Sequence, residues 1–190
     1  MSRFQQARFL VSAAAPGQFP PDAGAEVAFA GRSNAGKSSA INAIAQRHGL
    51  ARTSKAPGRT RLLNFFELSP MRRLVDLPGY GYASAPEAER RAWRPLIDAL
   101  QARACLRGLF VIVDARRGIS AGDEGLLAWA SPHRLHVLLS KADKLSASEA
   151  ARALRAAAER LAGEATVQLF SALRGIGVGE AQETLAAWLV

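Results

Sequence analysis

The sequence predicts an α/β domain with a mostly parallel, six-stranded sheet flanked by helices on both faces. Two observations support this fold class. Short apolar runs of strand-like composition alternate along the chain with segments of helical periodicity, which is the pattern of βαβ units. In addition, a glycine-containing loop lies directly between the first of these runs and a helical segment. With 190 residues, the chain has the length of one domain with a well-buried core.

Each element follows from the local pattern. The predicted strands are residues 27–30, 63–68, 73–76, 109–114, 135–140 and 166–170. The predicted helices are residues 37–47, 86–104, 122–130, 147–162 and 178–189. The fourth helix is the best marked, because Ser146 and Glu149 form a capping-box pattern and Gly163 suits a helix end. Residues 1–22 are predicted as an N-terminal arm and residues 23–190 as a single domain.

Composition narrows the classes of protein. The content of 49% hydrophobic and 22% charged residues is typical of a soluble globular protein. The single cysteine, Cys105, excludes an intrachain disulfide and fits a reducing cytoplasm. A short apolar stretch at residues 9–15 faintly resembles a signal peptide, but it is about as short as such segments get, so a cytoplasmic protein is expected. The net charge of +9 suits a polyanionic partner, either nucleic acid or an anionic membrane surface.

The most informative motif is G-x-x-x-x-G-K-[ST] at residues 31–38. Its glycines let the backbone wrap a polyphosphate, with successive N–H groups pointing inward. The Lys37 ammonium is expected on the β and γ phosphates, and the Ser38 hydroxyl is expected on Mg²⁺. The strand before the loop and the helix after it are the context that such a site requires. The predicted phosphate-binding residues are Gly31, Arg32, Ser33, Asn34, Ala35, Gly36, Lys37, Ser38 and Ser39.

A second motif, D-x-x-G, ends the third predicted strand with Asp76, Leu77, Pro78 and Gly79. The aspartate can hold a water of the Mg²⁺ shell. The Gly79 N–H can contact the γ-phosphate and respond to its loss. The position at the end of an apolar strand makes this weak motif more specific.

Two further segments predict selection of guanine. Ser140, Lys141, Ala142 and Asp143 approximate [NT]-K-x-D, with serine at the first position. The Asp143 carboxylate can accept hydrogen bonds from guanine N1–H and the 2-amino group, both of which adenine lacks. The stem of Lys141 can lie along the base. The other segment, which follows the sixth strand, contains Phe170, Ser171 and Ala172, where backbone N–H groups can meet guanine O6.

The loop between these phosphate motifs should supply a threonine for Mg²⁺ and the γ-phosphate. Thr53 and Thr60 both lie there. Thr60 is preferred because it follows Gly58 and Arg59, and the glycine gives the loop the freedom that a switch requires.

Four segments together resemble the EngB-type (YihA/YsxC) bacterial ribosome-biogenesis GTP-binding proteins, of the Era/TrmE-like class: residues 26–39, 51–60, 74–83 and 141–145. This resemblance implies a Ras-like P-loop GTPase fold. It also implies a role in large ribosomal subunit assembly, and in cell division and septation. It supports Thr60 as the switch threonine. The implied partners are the large-subunit precursor and its rRNA; the protein is expected to be monomeric off the ribosome and to have no membrane partner.

Catalysis is assigned to Lys37, Thr60 and Gly79, with Ser38 and Thr60 on Mg²⁺ and Asp76 acting through water. Tyr80 follows D-x-x-G at the position where Ras-like enzymes often carry a water-orienting glutamine, so slow turnover is expected. For Asn34 two roles stay open. In related GTPases a P-loop asparagine helps bind K⁺, and the alternative is that Asn34 only stabilises the loop.

Basic residues in both switch segments form a candidate rRNA-facing surface that depends on the nucleotide state. They are Arg52, Lys55, Arg59, Arg61, Arg90, Arg91 and Arg94, with Trp93 among them. A solvated helix face is the alternative for residues 90–94. A membrane-associated signalling GTPase remains the alternative function. A P-loop ATPase or nucleotide kinase is disfavoured by Lys141 and Asp143.

Overall fold

The parallel strands of one sheet determine where the predicted motifs meet. The computed structural model describes residue 4 and residues 6–51, 62–79 and 87–190, with side chains throughout except at 87–93. The strands are β1 (Arg8–Ala13), β2 (Ala25–Gly31), β3 (Leu63–Ser69), β4 (Arg72–Asp76), β5 (Leu106–Asp114), β6 (Arg134–Ser140) and β7 (Thr166–Leu169). The helices are α1 (Lys37–Ala45), α2 (Glu87–Gln101), α3 (Ala121–Ala130), α4 (Ala147–Leu161) and α5 (Val178–Trp188). Short 3₁₀ helices lie at Pro16–Gln18 and Ala142–Lys144.

Within the described residues the sheet has seven strands in the order β1-β3-β4-β2-β5-β6-β7. β2 is parallel to β4 and β5, and β6 is parallel to β5 and β7. β3 runs antiparallel to both of its neighbours, β1 and β4. The carboxyl ends of β2, β4, β5, β6 and β7 therefore meet at one edge of the sheet, which is where α/β proteins bind ligands.

The predicted fold class is confirmed, but the predicted count of six strands is wrong. The additional strand is β1, which lies in the predicted N-terminal arm and pairs with β3, for example Phe9 with Phe66. The adjacent residues Phe9 and Leu10 are both exposed, so the strand shows no clear alternation of buried and exposed positions. The segment forms a strand because of its pairing with a distant partner, which the local pattern does not reveal.

Helices cover both faces of the sheet, as expected. One buried cluster contains residues of α2, α3 and α4, and the other contains residues of α1 and α5. The rings of Phe29 and Phe110 stack 4.8 Å apart on neighbouring strands of the second cluster. α1 ends two residues earlier than predicted, at Ala45, because Gln46 is left-handed at φ 51°. Within the described part of the chain, no helix combines the length and apolar character needed to cross a membrane.

A buried ion cluster lies at the sheet edge opposite the motifs. The Glu26 side chain is 0% exposed, and Arg73 and Arg103 are each 7% exposed. Each arginine Nε lies 2.7 Å from a Glu26 carboxylate oxygen. Their Nη2 atoms also donate to backbone carbonyls in the segment before β2, including that of Pro21. The cluster therefore ties that segment to β4 and to the end of α2.

Removal of the shared carboxylate should destabilise the protein strongly. In Glu26→Ala two buried guanidinium groups lose their counter-charge, so the free energy of unfolding should fall by about 3–5 kcal/mol. Urea denaturation measures this change. Glu124→Ala is the matched control, because Glu124 forms an exposed ion pair with Arg160, and its loss should be below about 1 kcal/mol. Equal losses in the two variants would contradict the cluster's stabilising role.

A buried histidine makes stability depend on pH. His136 on β6 has hydrogen-bond contacts with Thr166 at 2.6 Å and with Gln168 at 2.8 Å, and its ring packs against Phe110 and Trp188. Burial lowers the pKa of His136 below its ordinary value, although the Gln168 contact opposes this. The unfolded chain therefore binds a proton at this position at a higher pH than the folded chain does.

The lowered pKa of His136 determines the direction in which stability changes with pH. Above the unfolded pKa of about 6.5 the histidine is neutral in both states, and its stabilising contribution is fully present. As pH falls from 6.5 towards the lower folded pKa, that contribution is lost, at most about 1.4 kcal/mol per pH unit. Urea unfolding at pH 7.5, 6 and 5 should show a shallower decline for His136→Gln than for the parent protein. Equal declines would contradict this assignment.

Candidate nucleotide-binding site

The loop of residues 31–38 joins the buried end of β2 to the start of α1. Gly31 packs against β5, where an added Cβ would lie 2.9 Å from the Ile112 carbonyl oxygen. Asn34 and Gly36 are left-handed, at φ 65° and 98°, and Gly36 caps α1. Left-handed residues at these two positions fold the backbone into a concave turn of the kind that binds anions through its N–H groups, at a helix N-terminus.

The lysine predicted to bind phosphate and the aspartate predicted to act on Mg²⁺ lie together. The Lys37 ammonium forms an ion pair with the Asp76 carboxylate, and the two side chains are 11% and 9% exposed. Burial raises the pKa of Asp76, while the Lys37 ammonium acts in the opposite direction. Ser38 occupies the first turn of α1 beside Lys37 and is half-buried, whereas Ser39 is exposed. The structure thus brings an ammonium, a carboxylate and a hydroxyl to the same end of the loop.

The rest of D-x-x-G lies against the same loop. The buried Leu77 donates its N–H to the Phe29 carbonyl at 3.0 Å, which extends the contact between β4 and β2. Pro78 leads to Gly79, where an added Cβ would lie 3.3 Å from both the Cα and the nitrogen of Ser33. Such a contact is tighter than ordinary van der Waals packing, so any other residue here would require the loop to shift by a few tenths of an ångström. Gly79 therefore lies next to the phosphate loop, as its predicted role requires.

Ser140 connects the end of β6 to the phosphate loop. Its hydroxyl donates to the Ala35 carbonyl at 2.5 Å and lies 3.1 Å from the Val113 carbonyl. The side chain is buried, so these contacts are shielded from water. The serine that departs from the usual [NT]-K-x-D pattern thus bonds directly to the loop backbone.

Lys141 makes a second connection to the loop. Its ammonium donates to the Asn34 carbonyl at 2.6 Å and to the Asp114 carboxylate at 3.0 Å. Its Cε would lie 4.0 Å from a Cβ at Gly36, so the aliphatic stem runs over the loop. The stem is therefore placed between the phosphate loop and the base-recognition residues.

The two guanine-recognition segments are hydrogen-bonded to each other. The Ala142 N–H donates to the Phe170 carbonyl at 3.1 Å, and the Ser171 hydroxyl donates to the Asp143 carboxylate at 2.6 Å. The Ser171 bond lowers the pKa of Asp143, which keeps its carboxylate ionised as an acceptor. Ala172 is half-buried beside Ser171. The structure thus orients the carboxylate that would select guanine.

Part of the predicted site lies outside the described residues: Gly58, Arg59, Thr60 and Tyr80. The same holds for four residues of the candidate rRNA-facing surface, Arg52, Lys55, Arg59 and Arg61, and for Arg90, Arg91 and Trp93 the structure describes only the backbone. The Arg94 side chain is described: it is exposed and lies 3.7 Å from Asp98, one turn further along α2. The assignments of Thr60 to Mg²⁺ and of the surface to RNA stay predictions.

Sequence reasoning missed two residues at this site, Asp114 and Arg116. Asp114 ends β5 and accepts hydrogen bonds from Lys141 and from the Arg116 guanidinium. The signal that could have identified Asp114 was a carboxylate at the end of a strand that lies next to β6. A cavity of about 260 Å³ is lined by Asp114, Arg116, Lys141 and loop residues 32–35, so Asp114 and Lys141 meet beside the loop.

The fold and the site together define a P-loop GTPase. A family profile described as 50S ribosome-binding GTPase matches residues 26–141. The probable GTP-binding protein EngB of Coxiella burnetii (strain CbuG_Q212) is 47% identical over 97% of this chain and 93% of its own length. The probable GTP-binding protein EngB of Methylococcus capsulatus (strain ATCC 33009 / NCIMB 11132 / Bath) is 52% identical over 90% of this chain and 84% of its own length. The chain belongs to the EngB family of GTP-binding proteins, which confirms the resemblance noted from its motifs.

Solved structures support the fold. The crystal structure of a probable GTP-binding protein engB has a TM-score of 0.69 at 22% identity and covers 87% of this chain and 98% of its own. Era in complex with MgGDPNP and nucleotides 1506–1542 of 16S ribosomal RNA has a TM-score of 0.65 at 20% identity, over 88% and 57% of the two chains. At these identities the likeness concerns the fold alone.

Proposed function

We propose that this protein is a slow GTPase that acts in the cytoplasm as a nucleotide-dependent switch in assembly of the large ribosomal subunit. One observation carries the nucleotide part of the proposal: the Asp143 carboxylate, oriented by Ser171, is linked through Ser140 and Lys141 to the phosphate loop. The ribosomal part is supported by the family description, 50S ribosome-binding GTPase. The comparisons lend no support to the alternative of a membrane-associated signalling GTPase.

The described donor set fits Mg²⁺. Ser38 and Asp76 offer a hydroxyl and a carboxylate, the hard oxygen ligands that Mg²⁺ prefers; Ser38 follows Lys37 in α1, and Asp76 forms an ion pair with Lys37. We assign Ser38 and Thr60 as direct ligands, with Asp76 acting through water. When bound, the ion neutralises charge on the phosphate oxygens.

The chain's own groups bind and orient the triphosphate. Lys37 places its ammonium on the β and γ phosphates, and backbone N–H groups of the loop near Gly36 surround the β-phosphate. The Gly79 N–H contacts the γ-phosphate. Because Gly79 lies against Ser33, loss of that phosphate releases a segment already packed on the loop. The segment after Gly79 then responds to the nucleotide state.

Slow turnover follows from Tyr80. A phenol ring at the position after D-x-x-G cannot orient the attacking water as an amide does. Asn34 is the candidate ligand for a K⁺ ion that would supply the missing positive charge at the transition state. Its backbone carbonyl is already used by Lys141, and its exposed side chain lies on the loop.

A comparison of salts tests the potassium assignment. GTP turnover by the purified protein should be faster in KCl than in NaCl at equal ionic strength, and Asn34→Ala should remove the difference. Phosphate release at saturating GTP measures both rates, and GDP affinity of the variant shows that its loop is intact. Equal turnover of the parent protein in the two salts would contradict a role for K⁺.

Co-sedimentation with ribosomal subunits tests the switch. The protein should bind the large subunit more tightly with a GTP analogue than with GDP. Reversal of two switch II cations in Arg90→Glu/Arg91→Glu should weaken binding and reduce the salt slope by about 2, about one unit per lost phosphate contact. Arg152→Glu/Arg155→Glu on the exposed side of α4 is the matched control, since it makes the same change in net charge.

The possible outcomes distinguish the proposed switch from its alternatives. Binding that does not depend on the nucleotide would contradict the switch, and equal losses in the two reversal variants would contradict an RNA-facing switch II. Flotation with anionic liposomes tests the membrane alternative in the same salt series. Binding to liposomes without binding to the subunit would replace the proposed function with that alternative.

A further inference from the structure

Asp114 is held rigidly at the end of β5. It pairs in register with Ser140 at the end of β6, so the following residue, Lys141, lies beside it. The Arg116 guanidinium binds both carboxylate oxygens, Nε to Oδ1 at 3.0 Å and Nη2 to Oδ2 at 2.7 Å. The Arg116 N–H adds a bond to Oδ1 at 3.1 Å. A bidentate arginine fixes the plane of a carboxylate as well as its position.

This clamp keeps Asp114 charged. The Arg116 bonds, followed by the Lys141 bond, hold the pKa of Asp114 well below its usual range, although burial acts against them. The side chain is only 9% exposed, so its attraction for Lys141 is weakly screened by solvent. A fixed, ionised oxygen therefore faces the lysine ammonium throughout the neutral pH range.

Lys141 needs such a partner. Its backbone is left-handed, with φ 59° and ψ 30°, a strained conformation for a residue with a side chain. Its side chain is 32% exposed, so burial alone does not hold it. The ammonium is held from two sides, by the Asn34 carbonyl of the phosphate loop and by Asp114. Of these two acceptors, only Asp114 carries a charge.

We infer that Asp114 is a positioning residue for guanine nucleotides, which acts by holding the Lys141 side chain between the phosphate loop and the base. The inference rests on the guanine-nucleotide binding proposed above and deepens it. In the absence of Asp114 the ammonium keeps one neutral acceptor, and the stem that should lie along the base becomes free to leave it. Arg116 acts one step further out, because it orients the carboxylate.

The position of Asp114 predicts which constants change. Its contacts reach the base side of the site and the Asn34 end of the loop, whereas Lys37, Asp76 and Gly79 lie at the γ-phosphate end. Asp114→Ala should therefore weaken GDP and GTP by the same factor, about ten- to a hundredfold, the usual effect of losing a charged hydrogen bond. The turnover number at saturating GTP should stay the same. The loss of affinity should therefore appear as a higher KM for GTP.

A double-mutant cycle with Lys141→Met tests the mechanism. Methionine keeps the length of the lysine stem but lacks the ammonium, so in that background Asp114→Ala should add less than a twofold loss of GDP affinity. Asp114→Asn keeps nearly the same volume but removes the charge and turns an NH₂ group towards the donors of Arg116 or Lys141, so it should lose affinity much as Asp114→Ala does. Arg117→Ala, at the neighbouring exposed arginine, is the matched control and should bind GDP as the parent does. Fluorescent GDP titration gives the affinities, and urea unfolding without nucleotide shows whether each variant folds.

The outcomes separate this inference from the function on which it rests. A parent protein that binds no guanine nucleotide overturns both. A parent that binds GDP, with Asp114→Ala and Asp114→Asn both folded and both binding as tightly as it does, overturns the inference alone. Additive losses in the cycle also overturn it, because Asp114 would then act independently of Lys141. If Asp114→Ala does not fold, the cycle is carried out with Asp114→Asn, and an undiminished loss in the Lys141→Met background again overturns the inference.

Discussion

The site depends on the register of the parallel strands. Phe29 pairs with Asp76, and Asp114 pairs with Ser140, so four strands end at nearly the same height. Backbone hydrogen bonding thereby brings together segments that are far apart along the chain. A slip of one residue would move every side chain of these strands to the opposite face of the sheet, and the packing against the helices on both faces would be lost. The same pairing that builds the core therefore places the functional groups.

Two carbonyl groups of the phosphate loop are held from outside the loop, while one of its N–H groups, that of Ala35, donates to the Arg32 carbonyl at 3.0 Å. The carbonyls of Asn34 and Ala35 accept hydrogen bonds from Lys141 and Ser140, both at the end of β6. Two successive carbonyls are thus satisfied by the protein on one side of the loop. Such a loop is preorganised for anions, since little reorganisation is needed when a phosphate arrives. The residues proposed to select the base thus also hold the loop that is proposed to bind the phosphates.

Charges are arranged differently at the two edges of the sheet. At the site edge, Lys37 with Asp76 and Lys141 with Asp114 form pairs whose members are also positioned to meet phosphate, metal or base. At the opposite edge, Glu26 is enclosed by two arginines and backbone carbonyls. The ion pairs at the site edge can exchange partners when a ligand binds, whereas the buried Glu26 cluster is enclosed by protein groups. Stability and function are therefore supported by separate ionic groups.

The sequence alone determined the α/β class, nearly all of the helices and strands, and the phosphate and base motifs. These follow from local periodicity and from residue spacing that the chemistry of phosphate and guanine imposes over a few positions. Only the tertiary structure decided that residues 8–13 form a strand, that Ser140 bonds to the loop, and that Asp114 holds Lys141. Each of these depends on a partner that is distant along the chain, and local sequence carries no record of which distant residues the sheet brings into contact.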